Sequence, residues 1–413
     1  MAKKNSKKTV PELRFRGFTD PWEQRQLGEV VQIVGGGTPD SSNADYWDGD
    51  IDWYTPSEIG ERRSVETSAR KITPEGLVHS SARLLPAGSI LFTSRASIGL
   101  MAFISRPSAT NQGFQSLVPS NNVDSNFLYA LGPYISRYAK KHAAGSTFIE
   151  ISGSSLAKAP LRIPSLAEQR RIGEFFTTLD SLIAAAERQE VLLRQKKQVY
   201  LQLMFPREGE TQPRLRFAGF SGEWQQRQLG ELGSAISGVG FPDAEQGGAG
   251  GLPFYKVSDM NLSGNELVMS ASSNYVSAEQ VMKNHWKPIT TIPAIIFAKV
   301  GAAVFLDRKR VAATPFLMDN NMMAYIPNGK SWDVDFCLSV FNRIRLSNLA
   351  RIGALPSINA SDVEQHHIAL PGLPEQHHIG SFFSTLDNLI AASEKRTASF
   401  RALKSAYLQR MFV

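Results

Sequence analysis

Apolar residues recur at alternating spacings of three and four positions in two long segments, which predicts two long helices at residues 164–207 and 371–413. This spacing places apolar side chains in one stripe along a helix, and a stripe kept over several heptads is typical of a coiled coil. The predicted seam consists of Ile172, Phe176, Leu179, Ile183, Leu193 and Tyr200 in the first helix, and of Ile379, Phe383, Leu386, Ile390, Phe400 and Tyr407 in the second.

Each predicted helix has about 40 residues and would be about 60 Å long. Ser165 and Glu168 form the pattern of a capping box at the start of the first helix, and Pro206 is expected to end it. Polar Lys197 and Lys404 interrupt the seam and could fix its register. We expect the two helices to pair antiparallel as a rigid spacer; the alternative is that each helix only closes the core of its own domain.

Shorter apolar runs with Gly, Pro and Asn between them predict strands near residues 30–34, 51–54, 89–94 and 100–105. Residues 123–142 and 334–351 each have the pattern of a helix with a basic end. Such ends either compensate the helix dipole or face phosphates, and the sequence leaves both open.

The chain is an internal duplication. Residues 11–29 and 213–231 are identical at 13 of 19 positions, and residues 164–187 align with 371–394 without gaps. The segments between these blocks share little more than a scaffold, for example Tyr54 with Tyr255 and Ser57 with Ser258. A shared frame around divergent segments indicates two sites of related geometry and different ligands.

These patterns predict an α+β fold with two pseudo-repeated halves, each a mixed α/β domain followed by a long helix, the two helices forming an antiparallel coiled coil. The predicted boundaries are 1–163 for the first domain, 164–207 for its helix, 208–370 for the second domain and 371–413 for its helix.

Composition and charge limit the class of protein. Of 413 residues, 42% are hydrophobic and 20% charged, which is typical of folded domains. A single cysteine, Cys337, excludes a disulfide framework within the chain. No apolar run approaches the roughly 18 residues of a membrane span, so a cytoplasmic protein without a membrane partner is expected. The net charge is +7, but Lys3, Lys4, Lys7 and Lys8 of a predicted basic tail contribute four of these charges, so nucleic-acid binding would need a local patch.

Motifs for catalysis are weak. Residues 324–331 match a relaxed phosphate-loop pattern but are better explained as a turn. His366-His367 and His377-His378 suggest a metal site, but Arg170-Arg171 replaces the second pair in the repeat. Asp307 and Lys309 supply only half of a metal-dependent nuclease pattern. The sequence thus predicts a binding protein with no catalytic residues, cofactor or metal site of its own.

Side chains suited to DNA occur in both variable domains. Lys and Arg neutralise phosphates, and Arg, Lys, Asn and Gln contact base edges. The candidates are Tyr54, Ser57, Arg62, Arg63, Arg95, Asn111, Gln112, Lys140 and Lys141 in the first half, and Tyr255, Lys256, Ser258, Lys283, Lys287, Lys299, Arg308, Lys309, Asn320 and Asn321 in the second.

Together these features resemble the specificity subunit (HsdS) of type I restriction–modification systems over essentially the whole chain. The resemblance is carried by the paired P-x-x-x-E-Q-x-x-I-G-x-F-F-x-x-L-D-x-L-I segments at 164–183 and 371–390, and by the RF-x-GF…W…LGE blocks at 15–29 and 217–231. The second domain departs from the family pattern, with NNMMAY where the first has an NQGF segment.

The resemblance implies that each variable domain is a target-recognition domain for one half of a bipartite DNA site, with the helices setting the gap. It implies two methyltransferase (HsdM) partners carrying S-adenosylmethionine and two restriction (HsdR) partners using ATP and Mg²⁺, with no catalysis by this chain. Two rival hypotheses are a nuclease at Asp307 and Lys309, and a scaffold whose domains bind proteins.

Overall fold

The computed structural model describes residues 10–60, 62–145, 149–207, 209–351, 353 and 355–412. The predicted basic tail lies outside these residues. The chain divides into two compact units: unit 1 is Met1–Ala185 with Thr397–Val413, and unit 2 is Ala186–Arg396. Within the described residues, no helix is long and apolar enough to cross a membrane.

The described residues of unit 1 form three β-sheets. Its strands are β1 (Glu23–Gln26), β2 (Val31–Gly35), β3 (Trp47–Tyr54), β4 (Ser64–Val65), β5 (Arg70–Ile72), β6 (Ile90–Phe92), β7 (Met101–Ile104), β8 (Ser108–Thr110), β9 (Gln115–Pro119) and β10 (Pro160–Ile163). They pair in the orders β2-β9-β6-β7-β4, β5-β3-β8 and β1-β10. The four strands expected from the apolar runs are confirmed as β2, β3, β6 and β7.

Short helices surround these sheets, and one long helix leaves them. The helices are α1 (Leu27–Val30), α2 (Pro74–Val78), α3 (Ser125–Ala130), α4 (Gly132–His142), α5 (Gly153–Ala157) and α6 (Leu166–Leu203). The prediction of a single helix over 123–142 is wrong, because the segment forms two helices, α3 and α4, with a break at Leu131. Pro133 has no N–H to continue the hydrogen-bond ladder across the break.

Unit 2 repeats this plan with one edge strand fewer. Its strands are β11 (Gln225–Gln228), β12 (Gly233–Ser237), β13 (Leu252–Tyr255), β14 (Tyr275–Val276), β15 (Ala294–Ala298), β16 (Lys309–Ala312), β17 (Leu317–Met318), β18 (Met322–Pro327) and β19 (His367–Leu370). They pair in the orders β12-β18-β15-β16, β14-β13-β17 and β11-β19. The order matches that of unit 1 except that β4 is reduced to an isolated parallel bridge between Val268 and Val311 of β16.

The helices of unit 2 also follow the repeat. They are α7 (Leu229–Leu232), α8 (Ala278–Lys283), α9 (Val334–Arg343), α10 (Leu346–Leu349), α11 (Ala360–Glu364) and α12 (Leu373–Met411). The helix predicted over 334–351 is likewise two helices, because Ile344 and Arg345 are extended. The N–H of Leu346 then donates to the Asp307 carboxylate at 2.8 Å, which starts α10.

Helices α6 and α12 pack antiparallel, which confirms the predicted coiled coil. In unit 1, the ring of Phe176 stacks on that of Phe412 at 5.7 Å, and Asp180 forms an ion pair with Lys404 at 2.5 Å. Residue numbers therefore rise along α6 while those of its partners fall along α12, as in an antiparallel pair. In unit 2, Lys197 meets Asp387 at 2.5 Å and the ring of Tyr200 lies 5.1 Å from that of Phe382.

The seam positions are buried to different degrees. Six belong to the two large apolar cores: Ile172, Phe176 and Leu179 in unit 1, and Ile379, Phe383 and Leu386 in unit 2. Ile390 is also buried. The others are half-buried, namely Ile183, Leu193, Tyr200, Phe400 and Tyr407. The first part of each helix closes a core, as the alternative hypothesis expected, but it also pairs with the other long helix, so core closure is not its sole role.

The far end of each long helix completes the other core. Phe412, at the end of α12, packs against Trp22 in unit 1 with 6.2 Å between rings, and Phe205, just after α6, packs against Trp224 in unit 2 at 5.8 Å. Because each long helix contributes to both units, the units do not follow the predicted boundaries 1–163, 164–207, 208–370 and 371–413.

Candidate nucleic-acid interface

Both units place a polar turn beside the end of a parallel strand pair. In unit 1 the N–H of Asn111 donates to the carbonyl of Tyr54 at 3.0 Å, and in unit 2 the N–H of Asp319 donates to that of Tyr255 at 2.9 Å. The Asn111 side chain accepts from the N–H of Gly113 at 2.8 Å, and Asp319 accepts from the N–H of Asn321 at 3.2 Å. Asp319 therefore takes the place of Asn111, at one residue before the predicted Asn320.

A second turn faces the first. After β3, the N–H of Thr55 donates to the Glu58 carboxylate at 2.7 Å, and after β13 the N–H of Lys256 donates to Asp259 at 2.8 Å. These are capping boxes of short 3₁₀ turns. They leave Ser57 in unit 1, and its counterpart Ser258 in unit 2, exposed on the surface of each turn.

In unit 1 the two turns touch. A Cβ added to Gly113 would lie 2.6 Å from Cγ of Pro56, so only glycine allows this approach. Gln112 is exposed and accepts a 2.5 Å hydrogen bond from the Thr38 hydroxyl. The structure thus brings the predicted residues Ser57, Asn111 and Gln112 together.

In unit 2 the equivalent turns border a cleft of about 390 Å³. The cleft is lined by Lys256, Val257, Ser258, Val300, Ala302, Ala303, Asp319 and Asn321. Lys299 lies at the same place, because its N–H donates to the carbonyl of Asn321 at 2.8 Å and its ammonium to Ser237 at 3.1 Å. The structure therefore groups the predicted residues Lys256, Ser258, Lys299 and Asn321.

Charge in this cleft is mixed. Burial raises the pKa of the Asp319 carboxyl, although hydrogen bonds from Asn321 and the nearby Lys256 oppose the shift. Lys256 itself donates to the side chain of Gln246 at 3.0 Å. The cleft offers ammonium, amide, hydroxyl and carboxyl groups within one concave surface, which is the set of groups that contact bases and phosphates.

Several predicted residues are buried instead. Tyr54 and Tyr255 are each 1% exposed. Burial raises the pKa of Tyr54 to about 12, and Tyr255 donates its hydroxyl to the carbonyl of Met269 at 3.0 Å. Lys309 is also buried, where its ammonium meets Asp307 at 2.7 Å and the carbonyl of Ile344 at 2.8 Å. These three side chains are buried and do not line a surface.

The remaining predicted residues lie apart from the two turns. Arg63 points into a network with helix α6, and Lys283 pairs with Glu245 at 2.7 Å. Arg308 bonds to Asn261, while the backbone of Arg95 bridges to Glu150. Arg62, Lys140, Lys141, Lys287 and Asn320 are exposed. Lys140 and Lys141 end α4, as dipole compensation and phosphate contact would both require.

Sequence reasoning missed Asp319 because the comparison of the two halves was anchored on Asn320. In the structure, Pro119 pairs with Val31 in unit 1, and Pro327 pairs with Gly233 at the equivalent place in unit 2. Asn111 and Asp319 each lie eight residues before these prolines and are therefore equivalent. Gln246 and Thr38 were also missed, and nothing in their local pattern marks them.

The weak motifs have structural explanations. Asp307 is the left-handed C-cap of a 3₁₀ turn and is bound to Lys309, while residues 328–332 form the turn between β18 and α9. Cys337 is buried, and burial raises the pKa of its thiol well above the usual value. Among the described residues, no three His, Cys, Asp or Glu side chains are grouped closely enough to hold a metal ion.

Sequence comparison agrees with the duplicated architecture. The family described as type I restriction modification DNA specificity domain matches residues 19–193 and 221–399. The chain belongs to this family. It is a type I specificity subunit.

Relatives match over different lengths of the chain. The type I restriction enzyme MjaIX specificity subunit of Methanocaldococcus jannaschii is 27% identical, over 94% of this chain and 92% of that protein. The EcoR124I/EcoR124II specificity subunit of Escherichia coli is 34% identical, over 44% of this chain and 48% of that protein. This specificity subunit is thus similar to the M. jannaschii protein along nearly the whole length of both chains.

A solved structure shows the same fold. The S subunit of a type I restriction–modification system from M. genitalium superposes with a TM-score of 0.65 at 14% identity, covering 98% of this chain and 99% of that one. A second solved chain, from a study of complex assembly and conformational transition of the type I R-M system, gives 0.54 at 19% identity, covering 96% and 98%.

Proposed function

We propose that unit 1 and unit 2 each contact one half of a bipartite double-stranded DNA site. The observation that carries this proposal is the equivalent pair of turns in both units, which present different polar side chains on one backbone geometry. Unit 1 presents Ser57, Asn111 and Gln112, whereas unit 2 presents Lys256, Ser258 and Asn321. Different side chains on the same frame would select different bases.

The proposed DNA-contacting set is narrower than the sequence suggested. It keeps the turn residues together with Lys299 and the exposed Arg62, Lys140, Lys141 and Lys287. It leaves out Tyr54, Tyr255 and Lys309, which are buried, and Arg63, whose guanidinium is engaged inside unit 1. Basic residues outside the turns would supply sequence-independent affinity through phosphates.

We further propose that the pairing of α6 with α12 sets the unread gap between the half-sites and helps dock the methyltransferase subunits. Two methyltransferase (HsdM) subunits would bring S-adenosylmethionine, and two restriction (HsdR) subunits would bring ATP- and Mg²⁺-dependent activity. Such a complex would act on DNA in the cytoplasm.

The test is selection from randomised duplex DNA with this chain co-purified with its methyltransferase partner. Two short enriched blocks at one separation would support the proposal, and one block would limit recognition to one unit. No enrichment by an intact complex would favour the protein-scaffold hypothesis. Repeating the binding at several salt concentrations would test for phosphate contacts, because each one changes the slope of log affinity against log salt by about 0.9.

The gap proposal has its own test. Glu187–Leu193 of α6 and Glu394–Phe400 of α12 are the same heptad in the two repeats, and deleting both keeps the seam in phase. Seven residues span about 10.5 Å of helix, which corresponds to about three base pairs. The half-site sequences should persist at a shorter separation; changed half-sites would contradict the spacer role.

A further inference from the structure

Arg63 ties the edge of the five-stranded sheet in unit 1 to the long helix. It lies directly before β4, and its carbonyl accepts from the N–H of Phe103 at 2.9 Å. Its guanidinium donates to Asp180 at 2.6 Å and to the Thr177 hydroxyl at 3.0 Å, both on α6. It also donates to the side chain of Asn126, in α3, at 2.7 Å. One side chain thus joins three elements.

Two aromatic rings also lie against the guanidinium of Arg63. Its carbon lies 4.5 Å from the ring centre of Tyr129 and 5.1 Å from that of Phe103, and these two rings stack at 5.0 Å. Cation–π contacts of this kind strengthen when the cation is partly shielded from water. A phosphate contact to Arg63 would compete with these contacts.

Asp180 extends the tie to the second long helix. Its other carboxylate oxygen accepts from the ammonium of Lys404, in the part of α12 that belongs to unit 1, at 2.5 Å. The sheet edge, α3, α6 and α12 therefore meet at one carboxylate and one guanidinium. The bidentate planar geometry of arginine suits such a junction, whereas lysine would supply a single point of charge.

The repeat shows that this tie belongs to unit 1. Asp387 and Lys197 are the counterparts of Asp180 and Lys404, and they meet at 2.5 Å in unit 2. At the place of β4, the sheet of unit 2 has an isolated parallel bridge between Val268 and Val311 in the described residues. The cation that Asp387 meets there is Lys197 of the helix pair, and no ion pair from the described residues of the sheet edge joins it.

We propose that Arg63 is a positioning residue that fixes the first recognition domain on the helix pair and thereby narrows the range of gap lengths the subunit accepts. The inference rests on the proposed bipartite recognition. One added base pair shifts a half-site by about 3.4 Å and turns it by about 35°. Rejecting such a site requires a stiff connection between the reading turns and the spacer, and Arg63 supplies part of it.

The experiment compares binding to duplexes that carry the selected half-sites at the selected gap and at gaps one and two base pairs longer or shorter. For the complex with Arg63→Ala, the affinity ratio between the selected gap and its neighbours should be about three- to tenfold smaller than for the wild type. The salt slope should stay unchanged. Arg63→Lys, which retains a single charge contact to Asp180, should give an intermediate gap profile.

The adjacent Arg62 provides the matched control, because it is exposed and its replacement by alanine removes the same charge without cutting the tie. Because Arg62 is itself a proposed phosphate contact, Arg62→Ala should weaken binding equally at all gaps, with a salt slope smaller by about one, and should keep a sharp gap profile. A uniform loss at all gaps for Arg63→Ala, with a salt slope smaller by about one, would identify Arg63 as a phosphate contact and overturn the inference. An unchanged gap profile would overturn it too.

A milder variant and the wild-type result separate failure of the Arg63 role from failure of the proposed function. Asn126→Ala removes one acceptor of the tie and should broaden the gap profile in the same direction, which provides a milder variant if Arg63→Ala does not assemble. If the wild-type complex selects no gapped site, the proposed function has failed. If it does so and the variants keep its gap profile, only the role of Arg63 has failed.

Discussion

Arg14 and Glu168 form a two-point ion pair, with Nε and Nη2 of the arginine each 2.7 Å from one carboxylate oxygen. Arg216 and Glu375 repeat the pair in unit 2 at 2.6 and 2.7 Å. Each glutamate is buried in the first turn of a long helix, and each arginine comes from the repeated block before the first strand. The carboxylate of Glu168 thus serves the ion pair, while Ser165 accepts only a long 3.5 Å bond from the Glu168 N–H, which corrects the expected capping box.

Replacing Arg14 by alanine should destabilise unit 1 by about 3–5 kcal/mol, because the buried Glu168 carboxylate would lose its partner. Arg216→Ala should cost a similar amount in unit 2. Urea unfolding of the full chain, followed by tryptophan fluorescence, measures both. Arg25→Ala is the control, since its exposed pair with Glu23 should contribute less than about 1 kcal/mol. Equal losses for Arg14→Ala and Arg25→Ala would contradict the assignment.

Gly173→Ala should be destabilising although alanine favours helices by about 1 kcal/mol over glycine. A Cβ there would lie 2.5 Å from the carboxylate of Asp124, which caps α3. Gly380→Ala should behave alike, because its Cβ would lie 2.4 Å from Asp333, the cap of α9. Thermal unfolding tests this, with Ser181→Ala at an exposed position of α6 as the control. A stabilising Gly173→Ala would mean that α3 can move away from α6.

Lys197→Ala should cost more stability than Lys404→Ala, although the two lysines are repeats of each other. Without Lys197, the partly buried Asp387 would lose the cation that it meets in unit 2, whereas Asp180 would keep Arg63. A double-mutant cycle with Lys197→Ala and Asp387→Ala should show a coupling of about 0.5–3 kcal/mol. If the two lysine variants lose equal stability, Arg63 does not compensate for Lys404.

Asp319→Asn should stabilise unit 2 increasingly as the pH rises above about 4. Burial raises the pKa of Asp319 in the folded protein above its ordinary 3.8, so the folded state holds this proton more tightly than the unfolded state. The wild type therefore loses stability as the pH rises from the ordinary pKa through the raised one. Asparagine cannot ionise and occupies the equivalent position in unit 1, as Asn111.

Urea unfolding of wild type and Asp319→Asn between pH 3 and pH 7 measures this difference. The two proteins should be most alike at the acid end, where both carry a neutral side chain. The reciprocal Asn111→Asp should lose stability toward neutral pH. A constant difference across the range would contradict the raised pKa of Asp319, because the folded state would then hold this proton no more tightly than the unfolded state.

The sequence alone determined the duplication, the two long helices and their antiparallel pairing, because these depend on local periodicity and on identity between the halves. It also determined the family, through motifs that are contiguous along the chain. The sequence did not predict the helix breaks at Leu131 and Ile344, because a helical apolar pattern continues across each break. Ser57 and Asn111, two predicted residues that did meet, follow the paired strands β3 and β8, and the sequence did not predict that pairing.

Only the tertiary structure decided which partners distant side chains choose. Arg63, Arg62 and Lys309 are all basic residues in the variable segments, yet one joins α6, one is exposed and one is buried with Asp307. The exchange of helix ends, which places Phe412 in the core of unit 1 and Phe205 in that of unit 2, was equally hidden. Periodicity specifies which face of an element is apolar, but it does not specify the partner of that face or charge, which can lie far along the chain, as in the separation of 117 residues between Arg63 and Asp180.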